Sequence, residues 1–272
     1  MNKVAFISMD VESFYDTSCI KKRNIAPIDE YDCSMMVKEF INFLNERNIK
    51  ATLFVTVDFL PKVKDYLLEA IKNGHEIALH SLHHVDVVDQ SDEEFENDIK
   101  KAKEILEKEL NIKVFGNRFP CFKKEEKHIE IIQNNGVMFD SGNLIDKNDG
   151  YEKLNDVVYK KNNFYEFALV KTPVSKINIS GGAFLRLLPW PFAYSKVKRY
   201  VKKHNGYTFY LHPFEIYKGE LPVFKNFTIL EKTFIRKGRD IYLDKIDKIF
   251  KLLKEEGYSF ITMSEYIKEV EK

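Results

Sequence analysis

Ile77-Ala78-Leu79-His80-Ser81-Leu82-His83-His84 is the stretch on which both fold and chemistry turn. It starts as an apolar run after the turn-like Lys72-Asn73-Gly74-His75 and ends in imidazoles, the pattern of a buried strand running into a loop or helical turn. On a helical turn His80 and His84, at i and i+4, share one face and could grip a single ion. The chain has seven histidines, and His75, His80, His83 and His84 all fall here, so chance clustering is a poor explanation. His75 and His83 read as structural.

On the N-terminal side, Val4 to Met9 is a β-type run that stops at Asp10-Val11-Glu12-Ser13, and Ala51 to Val57 is the continuous apolar run of a strand covered on both faces. Between them, Asp32-Cys33-Ser34 can cap a helix with Met36, Val37, Phe40, Ile41 and Leu44 on one side, after a loop-like 19–31. A helix over Pro61–Asn73 leads into the histidine strand. Strand and helix alternating at this spacing predict right-handed parallel crossovers, an α/β fold.

The alternation continues. Ser91-Asp92-Glu93-Glu94 has the form of a capping box opening a helix to Leu110. Val114 to Asn117 leads to Arg118-Phe119-Pro120, and a helix over Glu125–Asn135 precedes Val137-Met138-Phe139, which delivers Asp140-Ser141. Between 143 and 180 the pattern weakens, with Phe164 to Val170 and Ser175 to Ile179 as candidate strands. The stretch from Gly181 to Pro191, with Phe184, Arg186 and Trp190, suits a substrate-facing loop or equally a buried bend. A basic helix over Phe192–Lys203 is followed by the strand Tyr207–Leu211, which ends in His212-Pro213-Phe214-Glu215. Residues 216–239 read as loop. A helix over Asp240–Glu256, a strand Tyr258–Ile261 and a helix Met263–Glu271 close the chain, with no repeat or linker, so residues 1–272 read as one domain.

Composition excludes several classes. With 43 basic and 42 acidic side chains there is no basic face for nucleic acid. No stretch approaches the ~20 apolar residues of a membrane helix. Cys19, Cys33 and Cys121 are odd in number and lack metal-type spacing, which suits reduced thiols. Met1-Asn2-Lys3 runs directly into the first strand without a signal-type apolar region, so the expectation is a cytoplasmic protein. Nothing assigns an oligomeric state.

Ligands bind at the carboxyl ends of parallel strands. Four such ends present Asp10 and Glu12, His80 and His84, Arg118, and His212. Two imidazoles and one carboxylate with an open position are the ligands of a hydrolytic zinc site, which leaves one acid over to act as base. His212 could protonate a departing amine, and Arg118 could hold the base ionised through a bidentate pair.

These residues resemble the polysaccharide deacetylases of the NodB-homology type, the fourth carbohydrate esterase family. Its His-Ser/Thr-x-x-His motif is matched by His80-Ser81-Leu82-His83-His84, its Arg-x-Pro by Arg118-Phe119-Pro120, and its Leu-x-His element by Leu211-His212-Pro213. Phe139-Asp140-Ser141 is similar to the family's Tyr-Asp-Ser. Ser8-Met9-Asp10-Val11-Glu12 departs from the common Thr-Phe-Asp-Asp-Gly and resembles the Ser-x-Asp-Val-Glu variant of a branch associated with exopolysaccharide export. The resemblance spans about Val4 to Ile267.

It implies a distorted (β/α)7 TIM-like barrel and hydrolysis of N-acetyl groups on the amino sugars of a polysaccharide, oligosaccharide or lipid-linked glycan. It also implies Asp10 as base, Glu12, His80 and His84 as ligands of a divalent ion, Zn2+ first and Co2+ or another second, and His212 as acid with Arg118 orienting Asp10; the exchange of roles between Asp10 and Glu12 is the alternative. Ser81, Pro120, Asp140, Phe184, Arg186, Trp190 and Phe214 are the expected substrate contacts. A deformylase or ureide-type amide hydrolase is the alternative chemistry, and a catalytically silent glycan-binding barrel the alternative class.

Overall fold

The computed structural model describes residues 2–23, 25, 31–143, 150–172, 176–222, 224 and 226–272. The start of the strand expected at Ser175 and much of the loop expected at 19–31 lie outside them.

Ten strands form one sheet among the described residues: β1 (Lys3–Val11), β2 (Thr52–Val55), β3 (Glu76–Leu79), β4 (Gly116–Asn117), β5 (Phe139–Gly142), β6 (Glu152–Lys153), β7 (Val158–Lys161), β8 (Phe164–Ala168), β9 (Gly206–Leu211) and β10 (Tyr258–Phe260). β1 to β5 pair in sequence order and in parallel, β8 joins β5 in parallel, and β9 joins the free edge of β1 with Val4 opposite Gly206 and Met9 opposite Leu211. Those seven strands are the barrel, the distorted (β/α)7 form that the sequence implied. β6 and β7 extend β8 as an antiparallel flap. β10 shares an edge of β1 with β2, pairing Lys3–Ala5 where β2 pairs Ser8–Val11.

The ring between β8 and β9 is closed by a spliced segment. Thr208 Oγ1 donates to the Ala168 carbonyl (2.8 Å), Ile179 N–H to the Val170 carbonyl (2.9 Å), and Tyr210 N–H to the Ser180 carbonyl (2.8 Å). Gly181 makes this approach possible. Its φ is 130°, and a Cβ there would sit 2.0 Å from the Tyr210 carbonyl oxygen.

The strands are buried along nearly their whole length, as continuous apolar runs covered by helices must be. The helix Met35–Asn45 turns Met36, Val37, Phe40, Ile41 and Leu44 inward. The helix Asp92–Leu110 opens on the Ser91/Glu94 capping box and buries Phe95, Ile99, Ala102, Leu106 and Leu110. Among the described residues no helix is long and apolar enough to cross a membrane.

Of the two forms expected after the histidine strand, loop or helical turn, His80 to His84 takes the loop, an irregular bend in which Ser81 (φ 76°) and His84 (φ 50°) are left-handed and Ser81 Oγ accepts the His84 N–H at 2.7 Å. Two local expectations are corrected. The stretch after Gly181 holds a short helix, Gly182–Leu187. Residues 216–239 contain a helix, Ile229–Arg236, opened by a Thr228/Glu231 capping box that the surrounding loop-like composition masked.

Candidate active site

The carboxyl ends of β1, β3 and β9 open into a cavity of about 270 Å³ whose wall includes Asp10, Glu12, His80, His84 and His212. Glu12 follows the last residue of β1, and its Oε2 lies 3.1 Å from His80 Nε2 and 2.7 Å from His84 Nε2. His80 Nδ1 faces the Arg118 carbonyl at 2.8 Å. A carbonyl oxygen only accepts, so Nδ1 carries a proton, which fixes the ring with Nε2 turned to the carboxylate. Two imidazoles and a carboxylate, each under a tenth exposed, thus aim donor atoms at one point. Such a cluster is satisfied only with positive charge between its members. The donor set therefore fits a divalent ion, and the hydrogen bond from His80 Nδ1 to the Arg118 carbonyl orients the ring as in metal-binding histidines.

The electrostatics agree. Burial by itself would raise the Glu12 carboxyl, but the charges of His84 and His212 and hydrogen bonds from His80 and His84 hold it well below the usual range. Burial works the other way on His84, and the Glu12 carboxylate outweighs it, so that ring holds its proton more tightly than usual.

Asp10 sits at the end of β1 with 1% of its surface exposed. Its Oδ1 accepts Nη1 of Arg118, while Oδ2 faces His212 Nε2 at 3.6 Å. The expected bidentate pair is not formed: Arg118 Nε donates to the Ser141 carbonyl (3.0 Å) and Nη2 to Ser141 Oγ (2.7 Å), which locks the guanidinium from behind. Its Cζ also lies 4.0 Å from the Phe54 ring centroid. Arg118 is thus a fixed cation beside one oxygen of Asp10, and the other oxygen is left to the cavity.

His212 follows β9. Its Nδ1 donates to Glu215 Oε2 (3.0 Å), so Nε2 points inward, 3.9 Å from Glu12 Oε1. Glu215 is itself held by Arg186 Nε at 3.1 Å, and both side chains are fully buried. Burial would lower the His212 ring, yet Glu12, Glu215 and Asp10 together raise it to about 9.

Of the seven expected substrate contacts, Phe184 and Phe214 line the cavity. The other five, Ser81, Pro120, Asp140, Arg186 and Trp190, are not among its lining residues. Arg186 directs Nη1 and Nη2 to the Lys237 and Phe234 carbonyls as well as Nε to Glu215. Asp140 pairs with Lys124 (2.6 Å) and Asn117 (3.2 Å). Trp190 packs on Tyr194, Ser81 caps the His84 amide, and Pro120 is buried at the start of a 3-10 turn. Sequence reading missed Glu215, Tyr210, Asp16, Phe122 and Phe234. Only Glu215 carried a local signal, its place three residues after His212; the others reach the cavity by folding.

Residues 27–140 match a family model described as polysaccharide deacetylase, and residues 147–268 one described as a domain of unknown function, DUF3473. No curated protein matches the chain. Among solved structures, a candidate polysaccharide deacetylase from Mycobacterium smegmatis is similar at 14% identity and a TM-score of 0.65, over 100% of this chain and 91% of that one. A family 4 carbohydrate esterase from Bacillus anthracis is similar at 18% identity and a TM-score of 0.56, over 98% and 83%. A CE4 family pseudoenzyme from the same organism is similar at 13% identity and a TM-score of 0.58; this chain spans 66% of its length. At these identities the likeness is one of fold.

Proposed function

The chain belongs to the polysaccharide deacetylase superfamily, and from that premise we propose a metal-dependent hydrolase that removes N-acetyl groups from amino sugars of a polysaccharide, oligosaccharide or lipid-linked glycan. The observation that carries it is one cavity holding the Glu12, His80 and His84 cluster, with Asp10 and His212 beside it. A divalent ion, Zn2+ before Co2+, held by those three would polarise the acetyl carbonyl and lower the pKa of attacking water.

Asp10 takes the proton of that water on Oδ2, the oxygen Arg118 leaves free. Arg118 keeps the carboxylate in place through its Nη1. His212 gives its Nε2 proton to the amide nitrogen as the bond to the acetyl carbon breaks, and Glu215 keeps Nδ1 occupied so that Nε2 is the donor. Phe184 and Phe214 supply the apolar wall for a sugar ring.

Elemental analysis together with acetate release from acetylated glucosamine oligomers tests the reading. About one divalent ion per chain is expected, activity should fall on chelation, and Asp10→Asn or His212→Ala should slow turnover at least ~100-fold. Full activity in ion-free protein would refute it. Bound metal with no hydrolysis of acetyl, formyl or ureide substrates would indicate the silent glycan-binding barrel instead. A cytoplasmic location is part of the proposal, supported by the free thiols of Cys33 and Cys121 and testable by cell fractionation.

A further inference from the structure

Ile229 and Leu230 are 82% and 81% exposed, the most exposed large apolar side chains among the described residues. They are held on a fixed support. Thr228 and Glu231 close a capping box at the start of the Ile229–Arg236 helix, and Arg23 pairs with both oxygens of Glu231 at 2.9 and 3.1 Å. The same helix turns Ile235 into the core and Phe234 into the cavity wall. Leu230 stands one turn before Phe234 and so shares its face. Phe184, 51% exposed, lines the same cavity. An apolar strip therefore runs from the cavity out along this helix.

The surrounding charge is one-sided. Residues 216–240 carry six Lys or Arg, of which Arg239 is buried, against three Asp or Glu, while the rest of the chain has 37 against 39. Arg236 and Lys237 are exposed at the far end of the helix. Apolar side chains on a short rigid helix, flanked by cations and set at a cavity mouth, have the chemistry of a segment seated in the interface of an anionic bilayer. The alternatives fit less well. A second copy docking through the same face would set one cation-rich patch against another, with no anionic partner supplied. Ile229 and Leu230 offer a free glycan neither a hydrogen bond nor a flat ring.

We infer that this face is a peripheral membrane contact, seated on anionic lipid with the cavity mouth toward the bilayer. The further statement that the substrate sugar is presented on a lipid rests on the deacetylase reading; the membrane contact does not.

Co-sedimentation with vesicles tests it without turnover. The full-length protein should pellet with phosphatidylglycerol vesicles at low salt, pellet poorly with phosphatidylcholine, and be released by high salt. Ile229→Ser/Leu230→Ser should lower the bound fraction at least ~10-fold, and Arg236→Glu/Lys237→Glu should weaken binding to the anionic vesicles. The first variant should keep wild-type melting and wild-type turnover on a water-soluble acetylated oligosaccharide. Equal protein in the supernatant with and without phosphatidylglycerol would overturn the inference. So would a lipid-free dimer abolished by Ile229→Ser/Leu230→Ser, which would assign the face to a second copy. Loss of the deacetylase reading would show separately, as absent acetate release with vesicle binding intact.

Discussion

Glu215 decides what His212 can do. It accepts from the ring and from the His212 amide (3.1 Å), and it is fixed in turn by Arg186. Its charge helps to hold the ring proton up to about 9, so an acid role is fully available below that pH and is lost as pH rises through it. Glu215→Gln removes that support while keeping an acceptor, and the alkaline limb of kcat/KM should move to lower pH with KM little changed. An unshifted limb would mean that Glu215 only packs. His75 shows the opposite sign. Its Nδ1 accepts the Ala51 N–H at 3.1 Å and its Nε2 faces Asn45 Oδ1 at 3.0 Å, so the neutral ring is built in, and burial with nearby Lys50 draws it down to about 4. The folded value is below the unfolded 6.5, so this stability is complete above about pH 6.5 and lost as pH falls toward 4. Denaturant midpoints at pH 7.5 and 5 should differ more for the native chain than for His75→Gln, and equal differences would remove the residue from the account. His75 stood out in the sequence only as one of a cluster; its backbone partner is Ala51, just before β2, which no local pattern could supply.

At the scale of elements, capping and closure matter more than propensity. The C-terminal helix Met263–Val270 is docked on the barrel floor by Glu76, at the start of β3. Its carboxylate accepts from Thr52 Oγ1 (2.7 Å), the Met263 N–H (3.1 Å) and the hydroxyl of Ser264. Glu76→Ala strands these donors and should cost about 1–3 kcal/mol, with faster hydrogen exchange across 263–270 than elsewhere. Uniform protection would argue against it. Gly181→Ala places a methyl against the Tyr210 carbonyl in a backbone region that side chains avoid, so it should destabilise by about 2 kcal/mol or more and lower activity through the displaced 182–187 helix. A neutral melting temperature would show that the splice can yield. The apolar runs and the Ser91 capping box announced their elements in the sequence. The spliced segment at 178–181 did not, because it is held by Val170 and Lys171, just beyond β8, and by β9, and has no periodicity of its own.

The whole molecule joins two separately matched regions in one ring. β9, from the stretch matched to the domain of unknown function, lies along β1, and β8 lies along β5. Neither half can close its edge alone, so denaturation by urea should give a single transition by both fluorescence and circular dichroism. Two resolved transitions would mean two units. Chelation should lower the melting temperature, since an ion bound only by the folded site stabilises by mass action. Local order along the chain was enough to read alternating strands and helices and the polar groups at the strand ends, because burial on both faces writes continuous apolar runs and strand ends write polar interruptions. It was also enough to single out Asp10, Glu12, His80, His84, Arg118 and His212. What it could not determine was which oxygen of Asp10 stays free, that Arg186 serves Glu215 rather than the cavity, or that Phe234 walls the site. Those depend on distances between residues far apart in sequence, and only the closed barrel sets them.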